Sequence, residues 1–97
     1  MTPFYDRSGA PVGKERWALL FQDTRYQVLA QTKVAGYRVS TVWVGIDQSF
    51  GAGRPLIFET MVFGPGNWGE EQRRYATEEE ALAGHEEIVA AIKVVCG

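Results

Sequence analysis

The chain has 97 residues, the length of one small domain, with 45% hydrophobic and 23% charged residues, as in ordinary soluble globular proteins. Its formal net charge of −2 argues against non-specific binding to nucleic acid, which needs a strongly basic balance, although it leaves room for a local basic patch. The only cysteine, Cys96, excludes an intrachain disulfide and favours a reducing, cytosolic compartment. The chain start has no signal-peptide or membrane-segment pattern, so no membrane association is predicted.

The N-terminal half is predicted to begin with an arm and continue with strands. Residues 1–13 contain two prolines and two glycines, which predict a loose arm with a short edge strand at Pro3–Tyr5. The segment Glu15–Phe21 is predicted to be a strand, and Gln22–Thr24 to be a turn, because aspartate side chains bond nearby backbone amides. Alternation of apolar and polar residues over Tyr26–Thr32 predicts the next strand.

Two long strands and two glycine-rich loops are predicted in the middle of the chain. The clearest strand is Tyr37–Ile46, which is apolar on both faces near its end and is therefore expected in the centre of a sheet. It is followed by the glycine-rich loop Asp47–Arg54 and by the second strand, Pro55–Phe63. A second glycine-rich loop, Gly64–Gly69, leads to a last strand at Glu71–Tyr75.

A capping box predicts the start of a C-terminal helix. The Thr77 hydroxyl is placed to accept the N–H of Glu80, whose carboxylate is placed to reach back. The helix is predicted from about Glu78 to Val94, with an apolar stripe that packs on the sheet. That stripe consists of Ala81, His85, Ile88 and Ile92. The predicted fold is therefore α+β, a single domain over residues 1–97, with an antiparallel sheet of four to five strands and one C-terminal helix packed on one face.

Two polar residues inside the predicted elements have competing interpretations. His85, the only histidine, is either a buried residue bonded to a backbone carbonyl or a carboxylate, or a ligand contact between helix and sheet. No second histidine or cysteine cluster accompanies it, so no metal site is predicted. Glu59 lies inside a strand and is expected to face solvent or to pair with Arg73 or Arg74. A Glu59–His85 pair would be the one acid/base couple, so a small hydrolase or nuclease that also uses Asp47 stays as the weaker alternative.

Loop glycines and nearby arginines predict a site for an anionic ligand such as a nucleotide. Glycines in the Asp47–Arg54 loop permit close backbone approach, the arginines and Lys33 supply positive charge, and a tryptophan supplies a stacking ring. The alternatives are an ordinary flexible loop and scattered solvated charges. No GxGxxG pattern is present, so a dinucleotide fold is not supported, and neither a catalytic residue nor a cofactor is predicted. The predicted ligand-binding residues are Asp47, Ser49, Arg54, Glu59, Trp68, Arg73, Arg74 and His85.

Four segments carry a resemblance to a known family. VSTVWVG (39–45), DQSFGAG (47–53), PLIFETMVF (55–63) and RYATEEEALAGH (74–85) resemble small uncharacterised proteins encoded by tailed bacteriophages and prophages, notably those of actinobacteria. The resemblance covers roughly residues 38–88 and implies a phage accessory protein made in the bacterial cytoplasm. It supplies no established activity. Small phage proteins outside the virion often block a host factor or sequester a signalling nucleotide of host defence. The resemblance thus implies a non-enzymatic binding protein with an anti-defence role.

A protein partner is the alternative to a small ligand. An interaction module would contact a host factor through an exposed sheet edge. Three tryptophans and a strand-rich sheet with open edges also predict a homo-oligomer, because symmetric pairing is the commonest way to cover such an edge. Nucleic acid and membrane are not predicted as partners.

Overall fold

The structure, a computed structural model, describes residues 3–49, 53–64 and 72–96. The elements in chain order are α1 (Lys14–Phe21), α2 (Thr24–Gln27), β1 (Val28–Val34), β2 (Tyr37–Trp43), β3 (Phe58–Phe63), β4 (Gln72–Tyr75) and α3 (Glu78–Cys96). The predicted α+β class is confirmed, since a four-stranded antiparallel sheet packs against the C-terminal helix. No helix within the described ranges has both the length and the apolar character needed to cross a membrane.

The four strands form a meander in which each strand pairs with the next, in the order β1-β2-β3-β4. A turn of two residues, Ala35 and Gly36, joins β1 to β2, and both residues have positive φ angles, 51° and 84°. Turns of this kind match the right-handed twist of the strands that they connect. The turn therefore fixes the register of the first hairpin, in which Val34 lies opposite Tyr37 and Lys33 opposite Arg38.

Helix α3 covers one face of the sheet and contacts all four strands. Its predicted apolar stripe is confirmed, because Ala81, His85, Ile88 and Ile92 are all buried. The core has two parts. One contains Val39, Val62, Ile88, Val89 and Ile92, and the other contains Trp43, Ile57, Phe58 and Ala81.

The predicted capping box is present at the start of α3. The Thr77 hydroxyl accepts the Glu80 N–H at 3.1 Å, and the Glu80 carboxylate accepts the Ala76 N–H at 3.3 Å. One unpaired donor of the first helical turn is thereby satisfied, together with the N–H of the residue that precedes the cap. Three glutamates in the first turn also suit the positive end of the helix dipole.

The prediction of a strand at Glu15–Phe21 is wrong, because these residues form most of α1. Lysine, glutamate, arginine, alanine and leucine are all good helix formers, and the spacing of Trp17 and Phe21 puts both rings on one helical face. The two ring centroids lie 4.9 Å apart, and Trp17 also packs on the core around Trp43. Tyr26, predicted to begin the next strand, lies in α2, which Asp23 caps by accepting the Arg25 N–H at 3.0 Å.

The N-terminal segment makes specific contacts with the body of the protein. Phe4 forms an antiparallel bridge with Ile46 at the place of the predicted short edge strand. The Tyr5 N–H donates to the Gly45 carbonyl at 2.9 Å, and the Arg7 guanidinium pairs with Glu78 at 2.8 Å. These contacts join the segment to the end of β2 and to the start of α3.

Candidate functional site

The loop after β2 is braced by its aspartate. Asp47 Oδ1 accepts the Ser49 N–H at 2.8 Å and the Leu56 N–H at 3.2 Å. The hydroxyl and N–H of Ser49, together with the Leu56 N–H, hold the pKa of Asp47 below its ordinary value. Asp47 and Ser49 were both predicted as ligand-binding residues, and Asp47 thus bonds the backbone on both sides of the loop, at Ser49 and at Leu56.

The predicted cation of this loop, Arg54, has a partner on α3. Its Nη2 lies 2.8 Å from Glu80 Oε2, and this contact lowers the pKa of Glu80. The pair is solvent-exposed, so its contribution to stability is small. Arg54 also lines a small recess of about 140 Å³, which includes Tyr5 and Thr77. The structure therefore places Arg54 beside the helix start, where a carboxylate already balances its charge.

The two neighbouring arginines of β4 lie on opposite faces of the sheet. Arg73 pairs in register with Thr60, on the face that α3 covers, whereas Arg74 pairs with Glu59 on the other face. Arg74 Nε lies 3.9 Å from Glu59 Oε2, which confirms an arginine partner for this carboxylate. The predicted set of Arg54, Arg73 and Arg74 is consequently divided between the two sides of the molecule. Trp68, the predicted stacking ring, lies outside the described residues.

His85 is a buried structural residue with hydroxyl partners. Its side chain is 1% exposed, its Nε2 is 2.8 Å from Thr32 Oγ1, and its Nδ1 is 2.8 Å from Thr41 Oγ1. Thr41 also bonds the Thr60 hydroxyl. Of the two interpretations of His85, the structure shows the buried one, but the partners are threonine hydroxyls on β1 and β2 and not the expected carbonyl or carboxylate. Loss of contact with water lowers the pKa of His85, and the nearby Glu86 charge opposes this only in part.

The candidate acid/base couple of Glu59 and His85 is not formed. His85 bonds Thr41, and Thr41 bonds Thr60 on the face that α3 covers. Glu59 precedes Thr60 in the same strand and therefore points to the opposite face. In the parts of the chain that the structure describes, no group of three or more histidine, cysteine, aspartate and glutamate side chains is placed to hold a metal ion.

The second face of the sheet carries three rows of paired side chains, and we call it the open face. The strand register defines the rows as Lys33–Arg38–Phe63, Gln31–Ser40–Met61 and Val42–Glu59–Arg74. Within the described ranges all three helices pack on the other side, where α1 and α2 contribute rings to the core around Trp43. The open face is thus the one broad sheet surface, among the described residues, that no helix covers.

A recess of about 470 Å³ lies at the end of the open face, next to the turn that joins β1 to β2. We call it the Tyr37 recess. It is lined by Lys33, Gly36, Tyr37, Arg38, Phe63 and Gly64. Two of these side chains are cationic and two are aromatic, and none is acidic.

Two contacts shape the Tyr37 recess. The Arg38 guanidinium carbon lies 4.6 Å from the centroid of the Phe63 ring, a cation–π arrangement that holds the charge at the rim. Gly64 lies so close to Tyr37 that an added Cβ would come within 2.0 Å of the ring. A residue with a side chain could not lie there without moving the ring, so glycine is required for this wall.

Sequence reasoning included Lys33 among the cations but missed Arg38, Tyr37 and Phe63. The turn at Ala35-Gly36 is the sequence signal that could have identified Arg38. A two-residue connection there places Lys33 directly opposite Arg38 in the hairpin. The place of Phe63 in the same row depends on the register between β2 and β3, which follows from long-range pairing. No protein-family model, no curated protein and no solved structure matches this chain.

Proposed function

We propose that this chain is a non-enzymatic binding protein that holds a small anionic ligand with a planar ring, such as a nucleotide, in the Tyr37 recess. The observation that carries the proposal is the pairing of Lys33 with Arg38 directly across two strands. Like charges in this position destabilise a sheet, and no acidic side chain lines the recess to offset them. An anion between the two cations would remove this repulsion.

The aromatic lining of the recess favours an anionic ligand that also carries a planar ring. Phe63 lines the recess beside the Arg38 guanidinium, and aromatic rings hold planar groups by stacking, whereas the Tyr37 ring packs on the core under α3. A guanidinium that lies over a ring can also stack on a base while it contacts a phosphate. The volume of about 470 Å³ lies within the usual range of small-molecule sites.

The resemblance to phage accessory proteins supports a setting for this binding. A protein of this class acts inside the infected bacterium, and sequestration of a signalling nucleotide would counteract host defence without any chemical step. A binding protein of this kind needs no catalytic residues.

Calorimetry against a panel of linear and cyclic nucleotides, with inorganic phosphate as the ring-free probe, tests this function. We expect one or more nucleotides to bind more tightly than phosphate. We expect Lys33→Ala and Arg38→Ala each to weaken binding by about tenfold to a hundredfold, the range for a lost charge-assisted hydrogen bond. Arg16→Ala is the matched control, because Arg16 is an exposed cation of α1 outside the recess. Binding to no member of the panel, or equal losses in all three variants, would contradict the proposal.

A host protein as the ligand is the second candidate, and exposed apolar residues on α1 favour it. Leu19 is 64% exposed and Phe21 is 39% exposed. Exposed apolar side chains on one short helix suit a protein contact. Leu19→Glu would abolish capture of a host factor while leaving nucleotide binding unchanged, which separates the two candidates.

A further inference from the structure

The row of residues that lines the Tyr37 recess is also the first row of the open face. Lys33, Arg38 and Phe63 belong to both, so among the residues that the structure describes the recess is continuous with this surface. The next rows add polar and charged groups. Gln31 donates to the Ser40 hydroxyl at 3.3 Å in the second row, and Arg74 lies beside Glu59 in the third. A ligand that begins in the recess can therefore continue across the sheet.

Charge is separated between the two sides of the molecule. The open face carries three cations, Lys33, Arg38 and Arg74, against the single carboxylate of Glu59. Helix α3, on the other side, carries five glutamates and one lysine. Arg7 and Arg54 pair with two of these glutamates, which reduces the negative excess on that side but does not remove it. A polyanion would be attracted to the open face and repelled by α3.

We infer that the ligand is a short single-stranded oligonucleotide that places one nucleotide in the Tyr37 recess and crosses the open face with the others. This inference rests on the proposed function, since it uses the same recess for the first nucleotide. It also revises the expectation drawn from net charge alone, which did not predict nucleic acid as a partner. The local excess of positive charge on the open face is the reason for the revision.

The types of side chain on the open face suit a single strand. Single-stranded bases stack on aromatic rings and on guanidinium planes, and Arg38 over Phe63 offers both. Gln31 is exposed and supplies an amide that can meet base edges, whereas Ser40 is buried and bonds the Gln31 side chain. Arg74 supplies a cation for a phosphate at the far row. Rows two residues apart are about 7 Å apart, so the three rows span about 14 Å, which suits the two or three bases that four-stranded sheets hold.

A protein partner fits this surface less well. The apolar side chains of the open face are separated by charged and polar neighbours, since Phe63 lies under Arg38 and Met61 lies between Arg38 and Glu59 in the rows. The centre of a protein interface is depleted in charge. The observed arrangement is closer to that of a polyanion site.

A length series of single strands tests the inference. Fluorescence anisotropy would compare a labelled mononucleotide, dinucleotide, tetranucleotide and octanucleotide of mixed sequence. We expect the affinity to rise from one nucleotide to about four and then to level off. The logarithm of the tetranucleotide binding constant should fall with the logarithm of salt concentration by about 0.7 for each phosphate neutralised.

Two neighbouring residues of β4 provide a matched pair of variants. Arg74→Ala removes a cation of the open face and should weaken tetranucleotide binding by about tenfold while leaving mononucleotide binding unchanged. Arg73→Ala removes the same group from the opposite face and should leave both affinities unchanged. Thermal melting of both variants verifies that each is folded at the assay temperature.

The outcomes distinguish this inference from the proposed function. If a mononucleotide binds as tightly as the tetranucleotide, and both arginine variants behave alike, the inference is overturned and the proposed function stands. If neither binds, both are overturned. A dimer that dissociates on Phe63→Glu, without any oligonucleotide binding, would assign the open face to a second copy of the chain and also overturn the inference.

Discussion

At the scale of single residues, His85 illustrates how a polar group is retained in a small core. Its two ring nitrogens bond hydroxyls of Thr32 and Thr41, so the side chain is fully paired although it is 1% exposed. One neutral ring can donate through one nitrogen and accept through the other, which suits hydroxyl partners that do both. The histidine links α3 to β1 and β2 and, through Thr41, to Thr60 on β3.

This pairing predicts that stability falls in mild acid. Burial lowers the pKa of His85 below the ordinary value of 6.5, so the unfolded chain takes up a proton first as pH falls. The stability contributed by neutral His85 is complete above about pH 6.5 and is lost progressively below it. Urea unfolding between pH 7.5 and 5.5 measures this, in a range where carboxylates hardly titrate. The variant His85→Gln should lose most of the slope, and an unchanged slope would refute the assignment.

Gly84 provides a second prediction, in which packing outweighs helix propensity. Alanine is normally favoured over glycine inside a helix by about 1 kcal/mol. At Gly84, however, a Cβ would lie 2.1 Å from the Tyr75 hydroxyl oxygen. We therefore expect Gly84→Ala to destabilise the protein by about 1–3 kcal/mol, the usual cost of overpacking.

Chemical unfolding measures the effect of Gly84→Ala, and a double variant tests its cause. Tyr75→Ala removes the ring that the new methyl group would strike. The loss in the double variant should thus be smaller than the sum of the two single losses, because the two residues are in contact. Additive losses, or a stabilised Gly84→Ala protein, would show that this close approach is not the controlling factor.

At the scale of secondary-structure elements, α3 and the sheet stabilise each other through a narrow apolar stripe. Ile88 is 6% exposed and packs with Val39 and Val62 of the sheet. Its chain neighbour Glu87 is exposed. Helix periodicity alone identified both positions, since residues three and four apart share a face.

The pair Ile88 and Glu87 gives the third prediction. Ile88→Ala should cost about 2–5 kcal/mol in the free energy of unfolding, the usual range for truncation of a buried isoleucine. Glu87→Ala should change it by less than about 0.5 kcal/mol, as expected for an exposed site. Denaturant unfolding of the two variants under the same conditions makes the comparison. Equal midpoints for the two would place the buried stripe elsewhere on the helix.

At the scale of the whole molecule, assembly is the remaining prediction. The sheet has two edges, β1 and β4, and α1 presents Leu19 and Phe21 to solvent. We expect a homo-oligomer, because a closed symmetric contact would cover exposed edges or apolar residues of this kind.

Light scattering over a range of micromolar concentrations measures the assembly. The expected result is a mass above that of one chain, and a single monomer mass at every concentration would rule the oligomer out. Leu19→Glu tests whether α1 takes part, with Val95→Glu as the control, since Val95 is another exposed apolar residue, near the end of α3. A reduced mass for the first variant alone would assign the contact to α1.

The sequence by itself determined the class of fold and its main elements. Two strand-like apolar runs on either side of a glycine-rich loop indicated the strands around Val39 and Thr60, and the capping box at Thr77 indicated the start of α3. Burial of His85 and an arginine partner for Glu59 were each one of two interpretations that the sequence left open. These features depend on local backbone preferences and on the position of apolar residues along each element.

Tertiary structure alone decided where the chemistry lies. The segment Glu15–Phe21 contains both helix-forming residues and a short continuous apolar run, so its state depends on how its rings pack around Trp43. Because side chains alternate along a strand, Arg73 and Arg74 lie on opposite faces of the sheet. Which of these two faces α3 covers is decided only in the folded molecule. The recess between Lys33, Arg38 and Phe63 depends on the register of three strands, and register is fixed by pairing between residues that are distant in the chain.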